Sequence, residues 1–389
     1  VRTFALGAAS IALALFLAGR GLSAAQVGAV LTATLVEDAV VTMLAPLLAR
    51  RVGTRAVLVT GALVLAASGL LLTASGGPAL AVAAMVLGIV GPAGQDAGPF
   101  GALEQALLPE TVPPERRTRA FAWYSIAGYV PPALGALCAG AAVAWAQATG
   151  RGAEAGYRLL FAVQAMAGLV LAAVYGRLPA PPAPSAPAGV LGLGRSRRVV
   201  AQLAALQSLD ALAGGFVVQA LLVYWFHLRF GVGPELLGPL FFGTNLLSAV
   251  SFLVAARVAE RIGLLNTMVF THLPSNVLLM LVPLAGSFEA AALLLLARHL
   301  LAQMDVPARQ AYVAALVDPG ERAAAAALTT SARGLAQAVS PALAGRTLAG
   351  AGPLPFWMAG GLKIVYDMAL YFRFRRLAAA GYFQTSSLR

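Results

Sequence analysis

The residues of this chain that could do chemistry are charged side chains set inside apolar stretches. Glu37 and Asp38, Asp96, Asp210, Arg298 with Asp305 and Arg309, Arg333, and Lys363 with Asp367 all fall there. An ionisable group at the centre of a bilayer costs roughly 2.5–3.5 kcal/mol on insertion scales. Each must therefore pair, face water or take up a proton. Arg298 and Asp305 are seven residues apart and Arg309 lies four further on, which puts the three on one helix face. That stripe reads as a site for an anionic or zwitterionic group or a proton relay, or else as a charge network tying its helix to its neighbours. Lys363 and Asp367, four apart, predict a local structural pair. Other chemistries are poorly served. The single Cys138 excludes a disulfide framework, an iron–sulfur cluster and a Cys-based zinc site. His227, His272 and His299 are not spaced as metal ligands, and there is no H-E-x-x-H, G-x-S-x-G or G-K-[ST] motif. The expectation is no enzyme, no cofactor and no metal.

The elements that must position those charges are apolar and long. Of 389 residues, 60% are hydrophobic and 11% charged, against about 25% charged in a soluble domain. The mean hydropathy is +0.82. These values exclude an ordinary soluble enzyme, a disordered regulator and a coiled coil, and leave a polytopic helical membrane protein. Spans of ~21 residues predict helices over 3–18, 26–48, 56–74, 79–106, 120–147, 157–176, 199–226, 238–259, 266–285, 290–314, 323–349 and 354–372. Gly76-Gly77-Pro78, Pro113-Pro114, Gly231, Pro319-Gly320 and Gly352-Pro353 punctuate them. Pro92 and Pro99 interrupt the fourth. A pI near 10.8 on a soluble protein would suggest nucleic acid. Here the arginines lie in short runs between apolar segments, so the partner they imply is the lipid headgroup layer. With the N-terminus in the cytoplasm, 17 basic residues fall in inside segments and 4 in outside loops. Both termini are then cytoplasmic. No cleavable signal peptide is visible, and the chain opens at the edge of its first span, so a short preceding segment is expected to be missing.

The chain also repeats. Gly28 recurs as Gly238, Arg51 as Arg261 and Gly53 as Gly263, all at an offset of 210. Asp96 recurs as Asp305, and Pro132-Ala133-Leu134 as Pro341-Ala342-Leu343, at 209. The halves predicted are 1–178 and 199–376, joined by a Pro/Arg-rich cytoplasmic linker at 179–198 and followed by a tail at 377–389. Parallel halves about an axis along the membrane normal place a solute site at the midplane between them.

The loop from Pro46 to Arg55 resembles motif A of the major facilitator superfamily, G-x-L-x-D-R-x-G-R-R. Arg51, Gly53 and Arg55 match; Pro46 replaces a Gly and Arg50 the acid. The second copy keeps an acid, Glu260, with Arg261 and Gly263. Both loops read as cytoplasmic gates or as plain basic anchors. Gly128 to Gly135 resembles a degenerate motif C of the superfamily's antiporters, whereas the Arg of motif B is absent near Val90. The chain is identified as a bacterial, efflux-like member.

The resemblance implies an all-α membrane protein of twelve transmembrane helices in two six-helix pseudo-symmetric bundles. It implies a monomeric secondary transporter of the inner membrane that moves a small organic solute by alternating access. Proton-coupled efflux is expected. Proton-coupled uptake and, behind it, a non-transporting receptor on the same scaffold are the alternatives. Arg298, Asp305, Arg309, Arg333, Asn245, Gln219, Tyr129 and Tyr224 are the expected cavity residues. A proton carrier must change charge within the cycle; burial favours a neutral carboxyl and a nearby Arg a charged one. Asp38 and Asp210 have no basic residue within one turn on their own helices, and Glu37 repels Asp38. Asp38, then Asp210, then Glu37 and Asp96 are the candidates, with Arg298 and Arg309 as fixed charges.

Overall fold

The computed structural model describes residues 1–94, 100–111, 113, 117–178, 194, 196–318, 321–348 and 352–379. Among them every regular element is a helix. In chain order these are α1 (Arg2–Ala18), α2 (Ala24–Val52), α3 (Thr54–Ala74), α4 (Pro78–Val86), α5 (Phe100–Thr111), α6 (Arg117–Ala148), α7 (Gly152–Arg177), α8 (Arg197–Gly215), α9 (Gln219–Phe230), α10 (Pro234–Ile262), α11 (Leu264–Leu281), α12 (Phe288–Ala302), α13 (Asp305–Leu316), α14 (Arg322–Thr347) and α15 (Leu354–Ala379). The pairs α4/α5, α8/α9 and α12/α13 each occupy the length of one expected span, so the fifteen helices make twelve spans. Eight stretches among the described residues are long and apolar enough to cross a membrane, and α1 is a shorter apolar helix. Leu48, Leu70, Met166, Phe270 and Leu293 are exposed along these helices, as lipid-facing side chains are.

Each joint has a local cause. Ser23 caps α2 in a capping box with Gln26. The chain turns from α2 to α3 through Gly53 alone, at φ 89° and ψ 144°, and from α10 to α11 through Gly263, at φ 85° and ψ 160°. That backbone region is almost confined to glycine, which explains why this residue recurs at the repeat offset. The fourth span breaks after Val86, and Gly91 and Gly94 both have positive φ there. The tenth breaks at Gln303 and Met304, just before Pro307. The two breaks are repeat equivalents.

By packing, the chain divides into two compact units. Unit 1 comprises Val1–Ser185, Val217–Leu246 and Ala338–Gly352; unit 2 comprises Ala186–Phe216, Leu247–Gln337 and Pro353–Arg389. The division cuts through α10 and α14, because α9, the start of α10 and the end of α14 pack with α1 to α7. The linker at 179–193 and 195 lies outside the described residues.

Within unit 1, α2 meets α14 and α6 meets α10 backbone to backbone. A Cβ on Gly28 would overlap the Pro341 carbonyl oxygen and lie 2.8 Å from Gly345 Cα. A Cβ on Gly238 would lie 2.6 Å from Ala136 O and 2.9 Å from Gly140 Cα. Ala342 N, just past Pro341, donates to Thr32 Oγ1 at 2.9 Å across the first crossing. Small residues allow such approach between membrane helices. The core of this unit is apolar, with Leu58, Leu65, Ile89, Phe100 and Leu103 buried together. In unit 2, Leu203, Met268, Val269, Tyr312, Tyr366 and Phe374 form the buried cluster on which the charged site rests.

Candidate functional site

Unit 2 gathers charges from five helices around one carboxylate. Asp210, on α8, is 4% exposed. Its Oδ1 lies 2.5 Å from Lys363 Nζ on α15. Its Oδ2 accepts from Arg333 on α14 at 3.1 Å and from Arg309 on α13 at 3.3 Å. Arg309 also donates to Asp305 Oδ2 at 2.9 Å, one helical turn back. His272, on α11, stands between two acids: its Nδ1 is 2.8 Å from Asp367 Oδ1 and its Nε2 is 4.0 Å from Asp210 Oδ1. Asn276, one turn along α11, donates to Asp367 Oδ2 at 2.9 Å. The site therefore holds ion pairs that share partners in a largely buried setting, where rearranging one partner obliges the others to move.

The cation count exceeds the anion count. Lys363, Arg309 and Arg333 pair with Asp210, Arg309 also with Asp305, and Arg298 is a fourth cation against the three carboxylates Asp210, Asp305 and Asp367. Arg298 stands apart. Its NH1 is 3.2 Å from His299 Nε2, whose Nδ1 is 2.9 Å from Ser248 Oγ. Its Nε is buried and donates to nothing among the described residues.

Two expectations change. The Arg298–Asp305–Arg309 stripe presumed one continuous helix, but α12 ends at Ala302 and α13 starts at Asp305, so only the Asp305–Arg309 pair forms. Lys363 and Asp367 presumed a local pair; Lys363 instead reaches Asp210, and Asp367 takes His272 and Asn276. A long-range partner with better geometry wins over an i,i+4 neighbour.

The other candidates lie in unit 1 or at helix ends. Gln219, which opens α9, donates to Ser10 Oγ at 2.8 Å, and Asn245 donates to Gln219 Oε1 at 3.4 Å and to Phe241 O at 2.8 Å. Ser10 and Gln219 are themselves repeat equivalents. Tyr224 lines a cavity of about 580 Å³ with Tyr157, His227, Glu154, Glu235 and Arg20. Tyr129 is half-buried on α6. Glu37 and Asp38 are half-buried on α2, and Glu37 Oε2 accepts no hydrogen bond among the described residues. Asp96 lies outside the described residues. Arg51, Glu260 and Arg261 are exposed at the ends of α2 and α10, and none of them forms an ion pair among the described residues. Arg55 donates through NH2 to the Gly176 carbonyl.

Sequence reasoning missed a second polar network. Arg2 grips Glu104 with both terminal nitrogens, at 2.9 and 3.0 Å. Tyr175 donates to Glu104 Oε1 at 2.5 Å and Tyr124 to Oε2 at 3.1 Å. The available signal was an acid near the end of an apolar span with an Arg at the start of another. One sequence does not say that they meet.

A model of the Major Facilitator Superfamily matches residues 1–302. The chain belongs to this superfamily. An uncharacterized membrane protein of Saccharomyces cerevisiae, YJR124C, is 25% identical over 380 residues, covering 89% of this chain and 85% of that one. The crystal structure of a D-xylose-proton symporter superposes with a TM-score of 0.73 at 15% identity, over 95% of this chain and 94% of that one. That of the nucleoside transporter NupG gives 0.72 at 12% identity, over 96% and 98%. The twelve-span reading thus has the major facilitator fold, a multi-pass membrane fold of transporters and not of enzymes. On this facilitator, the motif A glycines are the one-residue joints of α2/α3 and α10/α11. The stretch resembling motif C packs on α1, with Gly135 seated against the Phe4 carbonyl.

Proposed function

We propose that this facilitator is a proton-coupled secondary transporter that exports a small organic solute across the cytoplasmic membrane by alternating access. Both termini are placed in the cytoplasm, and the repeat halves 1–178 and 199–376 are the moving bodies, joined by the 179–198 linker. The protein works as a monomer. The observation that carries this reading is the Asp210 cluster. A carboxylate shared by Lys363, Arg309 and Arg333 at the middle of membrane helices is costly to bury for stability alone. It is useful where charge must be redistributed during a cycle.

Asp38, Asp210, Glu37 and Asp96 remain the coupling candidates, and the ion pairs favour Glu37 over Asp210. Protonating Asp210 disrupts contacts to three cations. Protonating Glu37 breaks no ion pair among the described residues, and Glu37 Oε2 has a free acceptor site. The Glu37–Asp38 pair is therefore assigned the proton, and the Asp210 cluster the solute side of the cycle. The α2/α14 and α6/α10 glycine crossings support a state in which one end of these helices is shut. Export is supported by the resemblance of Gly128–Gly135 to the antiporters' motif C. The test is counterflow and net transport in proteoliposomes with a solute panel, with and without a pH gradient. Movement that responds to an imposed gradient supports the proposal; gradient-independent equilibration would leave a uniporter.

A further inference from the structure

We infer that the solute carries an anionic group, a carboxylate in size and charge, and that Arg298 is its anchor. The inference rests on the transporter reading and deepens it. Arg298 is 9% exposed, within the apolar length of the tenth span. A guanidinium has five donors and cannot lose its charge in a protein. Here its NH1 lies 3.2 Å from His299 Nε2. For Nε2 to accept, the proton of the neutral ring must sit on Nδ1, which faces Ser248 Oγ at 2.9 Å. The chain Ser248–His299–Arg298 orients the guanidinium without supplying negative charge. No carboxylate lies within ion-pair distance of Arg298 among the described residues, and its Nε donates to nothing.

The other cations of the site differ. Arg309 is shared by Asp305 and Asp210, and Lys363 is held by Asp210. The three carboxylates of the cluster, Asp210, Asp305 and Asp367, are thus occupied, the last by His272 and Asn276. Arg298 sits close to the C-terminal end of α12, where the helix dipole favours a cation. That partial charge lessens the burial cost without satisfying the fork. A planar carboxylate fits the fork with two parallel bonds, as a neutral sugar hydroxyl does not. Such an anion also restores the charge balance of the cluster, which has one cation in excess.

The experiment uses the purified full chain in detergent. Its thermal stability is read against a panel of small carboxylic acids, each paired with its primary amide, and against sodium chloride as the inorganic anion. Wild type, Arg298→Lys and Arg298→Gln are compared, and the same panel is run in counterflow. At least one acid should raise the melting temperature in a saturable way while its amide does not. Arg298→Gln should weaken that acid roughly tenfold or more, with Arg298→Lys between. Should Arg298→Gln fail to fold, the acid–amide contrast in wild type and the weaker binding by Arg298→Lys decide. The inference falls if no acid stabilises the protein, if amides act equally, if Arg298→Lys binds as wild type does, or if chloride alone is bound. Counterflow of neutral or cationic solutes only would keep the transporter and overturn the anion. Absence of counterflow for every solute, with acid binding intact, would instead overturn the transport reading.

Discussion

Lys363 Nζ lies 2.5 Å from Asp210 Oδ1 across 153 residues of chain, although Asp367 stands one helical turn from Lys363. This contact ties α15 to α8, and Arg309 and Arg333 add α13 and α14 to the same carboxylate. The first prediction follows from the asymmetry of that arrangement. Asp210→Asn removes the negative charge shared by three cations, so it should cost on the order of 3–5 kcal/mol, the scale for breaking a buried pair. Lys363→Leu leaves Asp210 with two arginines and should cost less. The double variant Asp210→Asn/Lys363→Leu should recover part of the stability lost by Asp210→Asn alone. Unfolding of the purified variants, followed by size-exclusion profile against temperature, measures the order. A double variant less stable than Asp210→Asn would contradict the pairing.

The second prediction separates Glu37 from Asp38. With one oxygen unpartnered among the described residues, Glu37 can hold a proton at no cost in ion pairs there. Glu37→Gln fixes the neutral form. It should abolish gradient-driven accumulation, flatten the dependence of transport on pH and leave counterflow within about twofold of wild type. Asp38→Asn should change the pH profile less. Wild-type accumulation by Glu37→Gln together with loss in Asp38→Asn would transfer the role to Asp38.

The spans, their one-residue joints and the repeat were legible because hydropathy and glycine placement are local properties of the chain. Gly53 and Gly263 show it: a 210-residue offset in sequence matches the same left-sided backbone geometry, φ 89° and 85°. The break in the fourth span was legible from Pro92 and Pro99. The break at Gln303–Met304 was not, and of the Arg298–Asp305–Arg309 stripe the ion pair formed is Asp305–Arg309. The Asp210 cluster was half legible. Buried charge pointed to every member, but partners across 95 to 153 residues, His272 with Asp367 and Asp210 with Lys363, depend on helix packing that no spacing encodes. Counting bases only along α8 made Asp210 look unpaired. The Arg2–Glu104 pair escaped for the same reason.

A third prediction concerns the glycine crossings. Gly28→Val must push α2 off Pro341 and Gly345, and Gly238→Val must push α10 off Ala136 and Gly140. Overpacking of this kind costs ~1–3 kcal/mol, charged here to the packed state alone. Each variant should fold, transport several-fold more slowly and open the contact between Ser10 and Gln219. A cysteine placed at Ser10, in a Cys138→Ser background, should then react faster with a membrane-impermeant thiol reagent than in the parent. Unchanged labelling in both variants would mean that these crossings do not move.

The last prediction sets the two cytoplasm-assigned loops against each other. Gly53 and Gly263 sit where a Cβ is strained by ~1–3 kcal/mol, so Gly53→Ala and Gly263→Ala should lower stability by similar amounts. Their side-chain neighbours are a different matter. Glu260 and Arg261 are exposed and form no ion pair among the described residues, so Glu260→Gln should leave the melting temperature unchanged. If Glu260 pairs only when that end of the molecule closes, the same substitution should slow transport, because it removes a contact present in one state and absent in the other. Arg50→Ala, in the copy that lacks the acid, should slow it less. Stability and counterflow rate measured on the four variants separate the roles. The glycine variants should move the first quantity, Glu260→Gln the second. Normal rates with Glu260→Gln would leave that loop as a basic anchor at the membrane surface.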